Sequence, residues 1–431
     1  MNNSARVRLF IMMVLEFIIW GAWLPLIFGY LPSLGFTALQ QSLILNAFPV
    51  AAIVAMFFSN QFADRNFAAE KFLAFSQLIG GISMIGLAFT RDFWTFFLLM
   101  LVHCLFYVPT LSIVNSITFN SLKEPKDFGF VRMGGTIGWA LAAWPFTFIL
   151  VDWNKVNATP THGFIDWLQT VLGNGLTGVE LQHGVRWTYV VSGVASLLLA
   201  AFSLALPHTP PKKAVSSDNK LAWLEAMRLL SKPFILVLWV VTFADTFVLN
   251  AYFNWAGSFL GSPQVGIKGN WIMPIMSIGQ VAEILTMLVL GAALKKFGWR
   301  ITMIVGILGH VARFGVFAFF PQATGLIVFV FLLHGVCYAF FFAAVYIFVD
   351  EYFPKDARSS AQGLFNVMIL GIGVIVANTF CPWMMGHYTT GGVTDFKTLF
   401  VFAGGVAAAA AIALALFFHP PPAPSQAEQS H

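Results

Sequence analysis

Apolar stretches near twenty residues long alternate with short polar breaks along almost the whole chain. A membrane-spanning helix needs about 20 predominantly apolar residues, which is much longer than a buried strand. The pattern predicts twelve such helices, at roughly residues 9–31, 42–62, 71–89, 93–119, 130–151, 186–206, 233–257, 271–294, 300–320, 325–349, 360–385 and 397–418. The expected fold class is therefore all-α, an integral membrane protein with twelve transmembrane helices.

Composition supports a membrane protein over a soluble one. Of the 431 residues, 58% are hydrophobic and 10% are charged, and the mean hydropathy is +0.80. A soluble domain carries charge on about a quarter of its residues. Arg6 and Arg8 precede an apolar run from Leu9 to about Tyr30 that lacks a small-residue cleavage site. We interpret this run as the first transmembrane helix and not as a cleavable signal peptide.

Basic residues between the spans predict the orientation. An even number of spans places both termini on one side, and lysine and arginine concentrate in cytoplasmic loops. Five of the 23 basic residues fall on the side opposite the termini and two fall within spans, leaving 16 on the side of the termini. We therefore expect both termini in the cytoplasm of a bacterial cell, with the chain in the inner membrane. The same rule explains the net charge of +5, so we expect no nucleic-acid partner.

A polar connection divides the spans six and six. It begins HTPPKKAVSSDNK and has the proline, lysine and serine content of a flexible linker. The predicted organisation is an N-terminal six-helix half at 1–207, a cytoplasmic linker at 208–232, a C-terminal six-helix half at 233–419 and a disordered cytoplasmic tail at 420–431. The outer loop at about 152–186 is long, and we expect a short amphipathic helix on the membrane surface there.

The sequence predicts neither an enzyme nor a cofactor or metal site. Cys104, Cys337 and Cys381 lie in apolar runs without metal-ligand spacing, so we expect buried packing residues. The spans contain no His-x-x-His or Glu-x-x-His pair and no serine beside a base. An intramembrane enzyme would need such a group on neighbouring helices.

Ionisable residues inside the predicted spans are the strongest functional signal. Gln280 and Glu283 lie three residues apart in the eighth span, so a helix places both on one face. Arg313 and His334 bring further ionisable groups to the next two spans. A carboxylate at bilayer depth costs several kcal/mol or more, so it is rarely kept without a polar cavity or a partner. The group indicates either a proton-coupling site or a static ion pair that fixes helix packing.

The first half carries polar residues of its own. Arg132 and Thr136 share a face of the fifth span, where the arginine binds a hydroxyl-rich ligand or serves as a topogenic charge. Glu16, Trp20 and Trp23 follow helical spacing, as one wall of a cavity or as packing residues. His103 and His310 are expected to be core histidines whose hydrogen bonds are satisfied. In the seventh span, Asn250 and Asn254 lie on one face of the helix. Asp245 in the same span has no partner evident in the sequence.

Two short turns carry a pattern known from one superfamily of transporters. Asp64 and Arg65 follow the second span, and Gly291, Lys296, Gly298 and Arg300 follow the eighth. Together with the twelve spans and the central linker, these turns resemble the G-x-x-x-D-R-x-G-R-R loop of the major facilitator superfamily. Both copies depart from it: Asn60 and Phe67 replace glycines, and Lys295 stands where an aspartate is expected.

Longer collinear segments resemble one family within that superfamily, the bacterial nucleoside:proton symporters. They are FIIWGAWL from Phe17, YVPTLSIVNSI from Tyr107, RMGGTIGW from Arg132, IMSIGQVAEIL from Ile275, ARFGVFAF from Ala312, RSSAQGLF from Arg358 and GGVTDFKTLF from Gly391. The resemblance implies the major facilitator fold, with a nucleoside and a proton as substrates, and we expect a monomer in the bilayer.

The resemblance also implies which residues form the sites. The nucleoside site would consist of Arg132, Thr136, Asn250, Gln280, Glu283, His334 and Tyr338. Proton coupling would involve Glu283, Arg313 and His334. The chain departs from the family at the tenth span, where Ala339 replaces an acidic residue, and at Phe253, where the family has asparagine. The second intramembrane acid is therefore missing at its usual place.

Two alternatives remain open at this point. Glu283, Arg313 and His334 on consecutive spans also resemble the charge network of lactose permease, so a proton-coupled sugar or glycoside symporter is the first alternative. A sensor that binds a ligand without moving it is the second.

Overall fold

Helices dominate the computed structural model, which describes residues 3–55, 67–121, 128–211, 228–353 and 355–420. In the N-terminal half they are α1 (Asn3–Ser33), α2 (Ala38–Leu45), α3 (Ala47–Val54), α4 (Ala69–Leu87), α5 (Phe93–Ser121), α6 (Phe128–Ala142), α7 (Trp144–Ile149), α8 (Trp153–Ala158), α9 (Phe164–Gly173), α10 (Gly178–Val185) and α11 (Trp187–Ser203). Helix was predicted for the six spans at 9–31, 42–62, 71–89, 93–119, 130–151 and 186–206, and most of the described residues in each are helical.

The C-terminal half is also helical. After a 3-10 turn at Leu229–Ser231 come α12 (Pro233–Leu260), α13 (Gly269–Phe319), α14 (Thr324–Val330), α15 (Leu333–Cys337), a π-helical segment Tyr338–Ala343, α16 (Ala344–Tyr352), α17 (Lys355–Asn366), a second π-helical segment Val367–Ile372, α18 (Gly373–His387) and α19 (Phe396–Phe417). Within the described ranges, eight helical stretches are long and apolar enough to cross a membrane. One of them, α13, contains two predicted spans joined at a bend.

That bend lies at Gly298, whose φ of 72° and ψ of 176° interrupt the helical backbone. A positive φ is accessible to glycine because it has no Cβ. Gly298 is also one of the residues that resemble the transporter loop, so this position of the pattern has a direct structural reason.

Two compact units make up the chain. One comprises Met1–Lys213 with Phe253–Val281, and the other comprises Ala214–Tyr252 with Ala282–His431. The segment 253–281, which follows the predicted linker in sequence, thus groups with the first unit.

Close packing of α1 against α6 organises the first unit. Gly134 and Gly138 are four residues apart on one face of α6, a small-xxx-small pattern that lets helix backbones approach closely. A Cβ on Gly138 would lie 2.1 Å from the Val14 carbonyl oxygen, and one on Gly134 would lie 2.8 Å from the Phe10 carbonyl oxygen. Larger side chains at these two positions would force α6 away from α1 and would displace the residues that α6 carries.

The outer loops contain structure at two places. Three short helices, α8 to α10, cover the predicted long loop, and Phe164 and Ile165 at the start of α9 are 72% and 71% exposed. Near Thr389, strands β1 (Thr389–Thr390) and β2 (Val393–Thr394) pair in a small hairpin that the sequence analysis did not predict. Its turn is Gly391-Gly392, both at positive φ, a signal for tight hairpins.

Several sequence-based interpretations fall outside the described residues. Asp64 and Arg65, most of the predicted linker and residues 421–431 are among them.

Candidate functional site

Arg132 begins the candidate site of the first unit. Its guanidinium carbon lies 4.5 Å from the centre of the Phe17 ring, a cation–π contact that joins α6 to α1. Thr136 follows one turn later on α6, and both side chains are half-buried. The cation is therefore held against an aromatic face of α1.

Aromatic rings continue this surface along α1 and α6. Trp20 stacks on Phe48 with ring centres 4.7 Å apart and meets Trp139 edge-on at 5.1 Å. Trp139 in turn lies 6.4 Å from the Phe253 ring of α12. A flat, aromatic surface next to an arginine suits a ligand that has both a planar base and hydroxyl groups.

Gln280 and Asn254 also belong to the first unit. Gln280 is 5% exposed and Asn254 is 3% exposed. Both amides lie on helices that carry predicted site residues, Asn254 on α12 with Asn250 and Gln280 on α13 with Glu283. Asn254 lies next to Phe253, where the family resemblance had led us to expect the asparagine.

Glu283 is placed by a close approach of two helices in the second unit. A Cβ on Gly335 would lie 2.4 Å from the backbone nitrogen of Glu283, so α13 and α15 pack backbone against backbone there. Glu283 is half-buried. His334, which directly precedes Gly335 in the sequence, is buried. The eighth and tenth predicted spans thus pack closely at Glu283 and Gly335, while the roles of Glu283 and His334 stay predictions.

Tyr338 and Asn250 complete the predicted set. Tyr338 is half-buried and opens the π-helical segment Tyr338–Ala343. Such one-turn π segments inside α-helices often occur at functional sites. Asn250 is half-buried on α12, and its side-chain nitrogen donates to the Thr246 carbonyl oxygen at 2.8 Å.

Arg313 is fully buried at the centre of a polar cluster in the second unit. Its Nη2 lies 2.8 Å from His310 Nδ1, and its Nη1 lies 3.4 Å from His334 Nδ1. The guanidinium carbon lies 3.9 Å above the Tyr252 ring. The structure therefore brings together Arg313 and His334, two of the three residues predicted for proton coupling.

The positions of the imidazole hydrogens in this cluster follow from which groups can donate a hydrogen bond. A guanidinium only donates hydrogen bonds, so Nδ1 accepts in both histidines and Nε2 carries the hydrogen of each neutral ring. His310 Nε2 lies 3.7 Å from Asp245 Oδ1. His310 thus sits between the buried cation and the buried Asp245 side chain, which makes Asp245 a candidate for the opposite charge that a buried arginine requires.

His310 was expected to be a satisfied core histidine, and it is buried with a hydrogen bond to Arg313, a partner that the sequence analysis did not name. Its spacing of three residues from Arg313 on one helix was a usable signal. Asp245 reaches the cluster from α12, a contact that no sequence spacing reveals. His103 matches its prediction: it is buried, and its Nδ1 lies 3.0 Å from the Gly80 carbonyl oxygen.

Glu16 and Trp23 are buried within the first unit, whereas Trp20 is half-buried. Trp23 meets His103 edge-on at 6.3 Å. These contacts favour packing over a cavity wall for Trp23.

Comparisons with known proteins agree with this architecture. The chain matches the family described as nucleoside H⁺ symporter over residues 1–423. It is 30% identical to the putative nucleoside transporter YegT of Escherichia coli (strain K12) over 377 residues, covering 86% of this chain and 82% of that protein. It is 27% identical to the xanthosine permease of the same organism over 419 residues, covering 93% of each. The crystal structure of the nucleoside transporter NupG superimposes with a TM-score of 0.79 at 24% identity, covering 98% of this chain and 100% of that one.

The family match defines a multi-pass membrane transporter and not an enzyme, and the NupG structure shows the major facilitator fold. More narrowly, the chain belongs to the nucleoside H⁺ symporter family. It is an inner-membrane protein, and the family does not favour the sugar symporter or the sensor.

Proposed function

We propose that this protein imports nucleosides together with protons by alternating access. The observation that carries the proposal is the family match along residues 1–423. The two candidate clusters, one around Arg132 and one around Arg313, supply chemistry suited to a nucleoside and to a proton. In this proposal the protein works as a monomer with both termini in the cytoplasm.

The residues predicted from the family resemblance would bind the nucleoside. Arg132 and Thr136 would bind ribose hydroxyls or a base carbonyl, because a guanidinium offers a planar fork of donors. Gln280 and Asn250 would pair with the base edge, and Glu283 would accept hydrogen bonds from hydroxyl groups. His334 and Tyr338 would line the same site from the tenth span.

Proton coupling would involve Glu283, Arg313 and His334. A carboxyl group binds a proton more readily when a nearby cation moves away, so a changing distance between Glu283 and Arg313 would link proton binding to conformation. The buried position of Arg313 beside His334 supports this role.

Uptake into liposomes tests the proposal. Purified protein should accumulate labelled uridine or adenosine when an inward proton gradient is imposed, and an ionophore that collapses the gradient should prevent accumulation. Excess unlabelled nucleoside should compete and a disaccharide should not. Competition by the disaccharide alone would contradict the substrate class, and uptake that ignores the gradient would contradict the coupling.

Glu283→Gln separates binding from coupling. This variant should lose accumulation against a gradient while it retains exchange of internal for external nucleoside, because the amide keeps an acceptor oxygen but cannot release a proton. Arg132→Lys is the companion variant: it keeps the charge and loses the planar fork, so it should weaken nucleoside competition instead. Full accumulation by Glu283→Gln would move the coupling role elsewhere.

A further inference from the structure

Among the described residues of the first unit, Glu16 has the most deeply buried carboxyl group, and the proposed function leaves it without a role. It lies on α1 at 0% exposure. Gln77 Nε2 of α4 lies 2.8 Å from Glu16 Oε2, and Thr110 Oγ1 of α5 lies 2.6 Å from Glu16 Oε1. Ser196 of α11 supports this arrangement from behind, with its Oγ 2.6 Å from Gln77 Oε1. The hydrogen bonds to this acid thus come from α4 and α5, and α11 holds the Gln77 side chain in place.

The groups around this acid are neutral. Among the residues that the structure describes, no lysine, arginine or histidine nitrogen lies within ion-pair distance of the Glu16 carboxyl group. From α5, Tyr107 donates its hydroxyl to the Glu16 backbone oxygen at 2.8 Å, and His103 stacks on the Tyr107 ring. The cation of α6, Arg132, lies over Phe17. Gln77 of α4 contacts the acid, and Ser196 of α11 contacts Gln77. Among the described residues, an ionised carboxylate here would have no counter-charge.

Counting hydrogens shows which charge state fits the geometry. Thr110 Oγ1 lies within hydrogen-bond distance of three groups: the Tyr107 carbonyl oxygen, Glu16 Oε1 and Gln77 Nε2. The carbonyl oxygen only accepts and the amide nitrogen only donates. The single hydroxyl hydrogen of Thr110 cannot serve both the carbonyl and an ionised carboxylate. A hydrogen on Glu16 Oε1 resolves this, because the acid then donates to Thr110 while Thr110 donates to Tyr107.

We propose that Glu16 is a second proton-carrying group of this transporter: it holds a proton in the conformation seen here and releases it during the transport cycle. This inference rests on the proposed proton-coupled function. It also supplies an intramembrane acid to a chain in which Ala339 occupies the place of an expected one.

The same side chains can serve both charge states. On release, the O–H bond of the Glu16 acid breaks, the proton leaves to water and the carboxylate keeps the electron pair. The Thr110 hydroxyl then rotates from the Tyr107 carbonyl oxygen to Glu16 Oε1, and Gln77 Nε2 continues to donate to Oε2. Because the carboxylate would still be buried without a cation, release requires a conformation that admits water or a cation. That requirement is what links the proton to the conformational change.

A location beside the nucleoside site fits this role. Glu16 immediately precedes Phe17, the ring that holds the Arg132 guanidinium. Ligand binding at Arg132 therefore acts on the same turn of α1 that carries the acid.

The Glu16→Gln variant tests the proposal with little change of shape. An amide at this position can donate to Thr110 and accept from Gln77, so the hydrogen bonds of the protonated acid are kept while the releasable proton is lost. Proton-driven accumulation of labelled uridine should fall by roughly tenfold or more, the size of a typical coupling between linked sites. Exchange of nucleoside without a gradient should persist. The matched control is Glu180→Gln, which replaces an exposed glutamate of the outer loop. This variant should accumulate uridine like wild type.

Infrared spectroscopy of the purified protein reads the proton directly and does not depend on transport. Wild type should show a carbonyl stretch of a protonated carboxylic acid that is missing from Glu16→Gln and present in Glu180→Gln. The band should weaken as the pH is raised, since the acid exchanges its proton as the protein samples other conformations. If Glu16→Gln does not fold, Thr110→Val serves instead: it retains the acid, removes its hydrogen-bond acceptor and should shift the frequency of the band.

The outcomes separate the two proposals. Failure of wild type to take up any nucleoside contradicts the proposed function, while the band and its pH dependence still decide the state of Glu16. Full accumulation by Glu16→Gln overturns the role of Glu16 and leaves the proposed function in place. An absent band, or a band that does not respond to pH, also overturns the inference.

Discussion

Each of the two compact units buries ionisable groups, but they balance the charge in different ways. In the first unit, Glu16 is surrounded by neutral donors and is suited to hold a proton. In the second unit, Arg313 cannot lose its proton, so it is accompanied by two imidazoles and by the Asp245 carboxylate beyond one of them. An acid can be made neutral by one proton, whereas a guanidinium needs an opposite charge.

This difference determines how each cluster should respond to substitution. Removing one member of a buried charge pair leaves the other without compensation, which is strongly destabilising. Removing one member of a neutral hydrogen-bonded cluster costs a smaller desolvation penalty. The predictions below test this order.

The largest effect is expected for Arg313→Met, which has a side chain of similar length and no charge. Asp245 would then be a buried carboxylate without a cation, so the loss of unfolding free energy should be about 3–5 kcal/mol. Thermal unfolding of the purified protein in detergent measures it. Arg313→Lys keeps the charge and should lose less unfolding free energy than Arg313→Met. If Arg313→Met were as stable as wild type, the two units would not differ in how they balance buried charge.

A double substitution sharpens the assignment of Asp245 as the counter-charge. Asp245→Asn combined with Arg313→Met should be more stable than the sum of the two single losses predicts, by about 0.5–3 kcal/mol, because neither charge is left alone. Arg313→Met combined with Asp395→Asn is the control, since Asp395 is exposed, and its losses should add. Additive losses for the Asp245 pair would show that His310 does not link the two charges.

A smaller loss is expected in the neutral cluster. Gln77→Ala removes a donor to Glu16 and an acceptor for Ser196, and should cost about 1–3 kcal/mol by the same unfolding measurement. Ser196→Ala removes only the outer partner and should cost about 1 kcal/mol. If Gln77→Ala destabilised the protein as much as Arg313→Met, the first cluster would have to carry a charge.

An effect as small as that of Ser196→Ala is expected for the exposed carboxylate of Asp395. Asp395 caps α19 by accepting from the Thr398 backbone nitrogen at 3.1 Å, and its hydrogen bond to the Thr398 hydroxyl lowers the pKa of Asp395. Asp395→Ala should cost about 1 kcal/mol. Because the folded pKa is lowered, this contribution is present above the ordinary pKa of aspartate and is lost as the pH falls through the lowered value.

Hydrogen exchange of the first turn of α19, followed as the pH is lowered, checks this prediction. Protection should decrease in wild type as Asp395 is protonated and should change little in Asp395→Ala. The opposite sign, with protection rising as the pH falls, would contradict the cap.

Particular residues show how far sequence reasoning reached into the sites. Arg313 and His334 were grouped because each interrupts an apolar span, and the structure places them in contact. His310 was taken for a core residue because a single histidine in an apolar helix is usually one. Glu16 was recognised as a costly residue, but its hydrogen-bond partners come from positions 77 and 110, far away in the chain. Asp245 joined its cluster for the same reason, through a helix more than sixty positions from His310.

The sequence by itself determined the membrane-spanning helices, the family and the identity of the residues that are costly to bury. It could do so because the length of an apolar run and the cost of a buried charge are local properties of the chain. Only the tertiary structure decided which of these residues meet. Contacts between helices depend on close approaches such as Gly138 on Val14 and Gly335 on Glu283, and these set the rotation of one helix against another. The same packing leaves Glu16 among neutral donors and Arg313 among imidazoles, which is what makes one cluster a candidate proton carrier and the other a charge-balanced pair.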